Sequence, residues 1–80
     1  MDAYIGTISL VGFNFAPANW ALCNGATLPI SQYQALFALI GTTYGGDGIH
    51  TFALPKLDGG TLQSGLTYII CLNGIFPSRP

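Results

Sequence analysis

Apolar and polar positions alternate in short bursts along this chain and settle into a helical rhythm only once. Tyr4 to Leu10 mixes aromatic, β-branched and small residues, with Ile8 and Leu10 on one face and Ile5 and Thr7 on the other, which predicts a first strand. Gly6 weakens that strand or lets another backbone approach closely. Phe13 to Asn19 reads as a proline-containing turn, and Trp20 to Cys23 as a short apolar segment stopped by the turn dipeptide Asn24-Gly25. Thr27-Leu28-Pro29 leads into the helical stretch. There Tyr33, Leu36, Phe37 and Ile40 fall on one stripe, with Leu39 beside them, as expected of a helix burying one face against a sheet. Ser31 and Gln34 have the spacing of a capping box and Gly41 follows as a C-cap, which predicts a helix over 32–40.

The segment that follows is too dense in glycine to be core and too ordered to be linker. Gly45, Gly46 and Gly48 can take positive φ and fold the backbone tightly, while Asp47 between them can accept hydrogen bonds from nearby amides. Thr51 to Leu54 predicts a brief strand ended by Pro55, and Leu57 to Gly65 a polar, glycine-rich hairpin or connector. Leu66 to Leu72 is the most strand-like run, apolar on both faces and so expected at the centre of a sheet, before Asn73-Gly74 turns the chain again.

Eighty residues allow one small domain, spanning 1–80. A domain of this size buries only about 60% of the surface its unfolded chain exposes. Half of the residues are hydrophobic and only 6% are charged, against roughly 25–35% on ordinary soluble surfaces. From Ala3 to Gly46 there is no Asp, Glu, Lys or Arg. Such a surface calls for a cover, and copies of the same chain are the cover expected. Trp20, Tyr44, Phe52, Tyr68, Ile70 and Phe76 are the candidates for core and assembly contacts.

Charge and composition exclude several other functions. Lys56 and Arg79 are the only basic side chains, too few to neutralise a phosphate backbone, so nucleic acid is not an expected partner. The longest purely apolar run is Ala35 to Ile40, whereas a membrane span needs about 20 such residues. The start Met1-Asp2-Ala3-Tyr4 lacks the basic and apolar regions of a signal peptide. An extracellular role would then require export without a classical signal. A disulfide between Cys23 and Cys71 would close a long loop and stabilise by roughly 4 kcal/mol. The lack of a secretory signal favours two small buried thiols instead.

Catalysis is not expected. The chain has one His, two Cys, three Asp and no Glu. No Gly-x-Ser-x-Gly elbow holds a nucleophile, and Asp47 and His50 sit in one short loop. Cys23, Cys71 and His50 lack the paired Cys-x-x-Cys spacing of zinc sites. Three copies of His50 around a threefold axis would present three imidazoles to one metal, although an ordinary loop imidazole accounts for it more simply. Asp47 alone supplies too few of the 6–8 oxygens calcium needs. No phosphate cradle is present either, since a strand rather than a helix follows the glycines. Neither metal nor cofactor is expected. The aromatic side chains would suit a sugar-stacking face, with core and subunit interface the simpler assignment.

Three blocks resemble the phage tail collar domain of short tail fibres and of microcystin-dependent proteins. They are Trp20 to Gly25 with Leu28-Pro29-Ile30, Tyr33 to Pro55 with its helix, glycine-rich loop and strand, and Tyr68 to Arg79. The resemblance implies an α+β, mainly-β fold with one short helix packed on a sheet that includes the C-terminal strand. It also implies a non-enzymatic subunit of a trimeric fibre or extracellular filament, with a tail-tip adhesin that binds surface glycan as the alternative. After Leu54-Pro55 the family's Asp-Leu-Arg-Gly-Arg is replaced by Lys56-Leu57-Asp58-Gly59-Gly60, which exchanges the first two charges and loses the last. Thr61-Leu62-Gln63-Ser64 stands where typical members carry a long variable segment, the expected place of receptor contacts. What the sequence retains is therefore the assembly part of the family's role.

Overall fold

The computed structural model describes residues 3–57 and 66–78. In chain order the elements are β1 (Ile8–Val11), β2 (Trp20–Leu22), β3 (Thr27–Pro29), a 3₁₀ turn (Ile30–Gln32), α1 (Gln34–Ile40), β4 (Thr51–Ala53) and β5 (Thr67–Cys71). They form a three-stranded sheet ordered β1-β5-β2 and a two-stranded sheet of β3 and β4, every pairing antiparallel. This is the mainly-β, α+β fold expected. The apolar run near the C-terminus takes the central position, as its two-faced hydrophobicity requires. The expected connector over 57–65 falls outside the described residues from Asp58 onward.

Three boundaries differ from the sequence reading, each for a local reason. Gly6 at φ 88° turns the chain, so that Thr7 N–H donates to Tyr4 C=O and the ladder begins only at Ile8. Tyr4 instead bridges Ile75, and Ile5 N–H donates to Ile75 C=O at 2.8 Å. The helix begins at Gln34 rather than at 32, because Ser31 is taken up in the 3₁₀ turn and Tyr33, with no side-chain cap bond, stands at the N-terminus. Its other end is as expected, with Gly41 at φ 55° donating its amide to Phe37 C=O at 2.8 Å. Thr27 to Pro29 is itself a strand, paired with Thr51 to Ala53.

One core lies between the two sheets and the helix. Ile5, Cys23, Leu36, Phe52, Leu54 and Ile70 form its buried cluster. Phe37 packs its ring 5.5 Å from that of Phe52, tilted by 59°. Full burial of side chains this size contributes roughly 1.5–3 kcal/mol each.

The register also settles the cysteines. Cys23 N–H donates to Tyr68 C=O, which sets Cys23 opposite Tyr68, while Trp20 stands opposite Cys71. An odd separation along β5 puts Cys23 and Cys71 on opposite faces of the sheet. No disulfide can join them without a slip of register. Both are free, buried thiols.

Candidate functional site

The glycine-rich loop seals the outer edge of β4. Leu54 N–H donates to Ala26 C=O, so by alternation Phe52 also turns its backbone to β3, and Thr51 and Ala53 turn theirs outward. Three of these four outward groups find the loop. Ala53 N–H donates to Gly45 C=O at 3.0 Å, Gly48 N–H donates to Thr51 C=O at 2.9 Å, and Thr51 N–H donates to Asp47 Oδ1 at 2.9 Å. The same oxygen accepts from Ile49 N–H at 2.8 Å and His50 N–H at 2.7 Å. These three amides, Thr51 first, hold the Asp47 carboxyl well below the usual carboxylate range.

Glycine at 46 follows from this close approach. A Cβ there would fall against Phe52 Cα and 2.7 Å from Thr51 C=O, at a φ of 96°. His50 is exposed and its Nδ1 lies 3.8 Å from Asp47 Oδ2. Cys71 lies in β5 and Cys23 just past the end of β2, and among the described residues the histidine and the two thiols are not brought together. Burial raises the pKa of the Cys23 thiol to about 11 and pushes that of Cys71 upward as well, the latter offset in part by a hydrogen bond with the Asn73 backbone.

The six candidate contact residues fall in different places. Phe52 and Ile70 are fully buried, and Tyr68 is half-buried against the same cluster. Tyr44 and Phe76 are exposed. Trp20 belongs to the other face of the three-stranded sheet, where with Ile69 and Cys71 it lines a groove of about 840 Å³ walled by Phe13 and Pro17. Lys56 lies beside Gly25 and bridges Asn24.

Phe13 and Phe15, whose rings lie 4.7 Å apart at the surface, enter the sequence reading only within a turn and among the aromatics in general, and Ile49, 76% exposed at the loop tip, is given no role there. Phe-x-Phe in a turn rich in Asn, Gly and Pro was the available signal, since such a turn has no core to bury rings in. The exposed side of Ile8 and Leu10 was legible as an alternation, but not the fact that nothing described covers it.

The arrangement offers apolar surface, a sheet edge closed by a loop, and no assembled acid, base or nucleophile among the described residues. Residues 6–62 match the model of the phage tail collar domain, and the chain belongs to that family of phage tail structural proteins. The terminal block from Tyr68 lies beyond the matched residues. A search of curated proteins returns no match. No helix among the described residues is long and apolar enough to cross a membrane.

Proposed function

We propose that this protein is a non-enzymatic structural subunit that assembles with copies of itself into a fibre, either a trimeric tail-fibre component or an extracellular filament. Its place would be a phage-tail-like particle or a filament outside the cell. The observation that carries this reading is the surface. Tyr4, Ile8, Leu10, Phe13, Phe15 and Tyr44 are all exposed within a stretch of chain that contains no charged side chain. Ordinary monomers scatter such residues singly among charges, whereas exposed apolar residues with no charge among them along the chain favour an interaction site. Electron microscopy at neutral pH and modest salt tests it. Long fibres or discrete particles of one size support self-assembly and separate its open and closed forms, and a uniformly monomeric field overturns it.

The groove beside Trp20 favours a second reading, a tail-tip adhesin. Ser9, Asn19 and Asn73 stand around its aromatic wall, a combination suited to a sugar ring, which needs a stacking face and hydrogen-bonding groups together. A glycan panel tests this reading, with saturable binding that is lost in Trp20→Ala as the expected result and no binding across the panel as the result against it.

A further inference from the structure

The four strand edges of this fold are treated unequally. That of β4 is sealed by the glycine loop, through Gly45, Asp47 and Gly48. That of β3 carries Pro29, whose ring nitrogen points outward by the same alternation and offers no N–H. The edge of β2 is three residues long, and its Trp20 N–H is returned to Pro17 C=O at 3.0 Å. For β1, Cys71 N–H donates to Thr7 C=O, so Ser9 and Val11 face β5 while Ile8 and Leu10 turn their N–H and C=O groups outward. Among the described residues nothing meets them. The strand has no Pro, no charge and no bulge, the usual means of closing an edge.

We infer that β1 is the assembly edge, pairing antiparallel with β1 of a second copy, a pairing that rests on the self-assembly proposed above. The outward backbone groups call for a strand as the occupant, and the same strand of a second copy fits because it is equally free of charge and presents the same outward groups. Hydrogen-bonded pairs join only outward residues to outward residues, and the register that uses both outward residues of each strand sets Ile8 opposite Leu10 of the second copy. Four hydrogen bonds then form about a twofold axis through Ser9. The exposed side chains of Ile8 (39%) and Leu10 (42%) share one face, so the two copies join theirs into a single apolar stripe with no like charges opposed. An isologous contact of this kind closes on itself as a pair, so a filament needs a second, different contact between pairs.

Ser9 faces itself across the axis in a non-hydrogen-bonded pair, where Cα atoms stand about 4.5 Å apart and a disulfide can reach. Mild oxidation of Ser9→Cys is expected to give a covalent dimer, and Val11→Cys, displaced from the axis on both chains, is not. Leu10→Lys should raise the concentration for half-association at least about tenfold with an unchanged circular dichroism spectrum, and Leu10→Pro, which deletes only an outward N–H, gives a second variant. Oligomers that persist in Leu10→Lys and do not cross-link through Ser9→Cys overturn the β1 pairing while leaving self-assembly intact. A wild-type chain that sediments as a monomer at every concentration overturns both.

Discussion

At the scale of single residues, Asp47 and Gly46 show how little chemistry is needed to close a sheet edge. Asp47 Oδ1 collects three amides because the glycines on either side let the backbone wrap around it. Its pKa is lowered in the folded protein relative to about 3.9 in the unfolded chain. The contribution to stability is therefore present above the unfolded value and is lost as pH falls through the lower, folded one. The loop should stay closed in mildly acid solution and open only in strong acid, followed by amide exchange at Thr51 and His50. Opening already near pH 4–5 would contradict the carboxylate's role. Asp47→Ala should speed exchange at the same amides at neutral pH. Gly46→Ala must both abandon a positive φ and displace Phe52, and is expected to cost roughly 2–4 kcal/mol, read as a lower unfolding midpoint. The two thiols give a third test at this scale. Their raised pKa and burial keep thiolate scarce, so the native protein should react slowly with a disulfide reagent at pH 8, and the unreduced protein should release two thiols in denaturant.

At the scale of elements, legibility in the sequence followed the number of independent signals. The helix announced itself by its stripe and by Gly41, and β5 by an apolar run long enough to exclude a connector. The helix N-terminus differs because Ser31-x-x-Gln34 fits a capping box equally well when Ser31 lies in a 3₁₀ turn, and the non-helical conformation of Tyr33 (φ −134°, ψ 45°), between that turn and α1, distinguishes the two. Thr27-Leu28-Pro29 was invisible as a strand. Three residues carry too little alternation to register, and Pro29 argues against a strand except at an edge, where it stands. The loop's chemistry was legible in its glycines and Asp47, but its target was not, since β4 is brought there by tertiary packing. Leu36 joins helix to core with no exposed surface. Leu36→Ala should destabilise by roughly 2–5 kcal/mol, a shift in midpoint of about 10 °C or more for a chain this small. A much smaller shift would mean that the helix does not rest on the sheets as described.

For the molecule as a whole, the surface and the central strand are the quantities that matter. Ile70 is fully buried in β5, the central strand, between Ile8 of β1 and Ala21 of β2 and within the core cluster, so it serves fold and edge geometry at once. Ile70→Asp places an unpaired carboxylate there, at a cost comparable to the whole stability of a small domain. Folding and association should be lost together, and a folded, soluble monomer of that variant would remove β5 from its central role. Association itself has a signature in salt. An interface drawn from Ala3 to Gly46 can contain no ion pair from that stretch, so screening has nothing to weaken there. Salts such as sulfate instead strengthen apolar burial. Light scattering or sedimentation of the intact chain should therefore show assembly that is unchanged by sodium chloride and enhanced by ammonium sulfate. Dissociation on adding sodium chloride would mean that Lys56, Arg79 and the three aspartates, rather than the uncharged surface, hold the copies together.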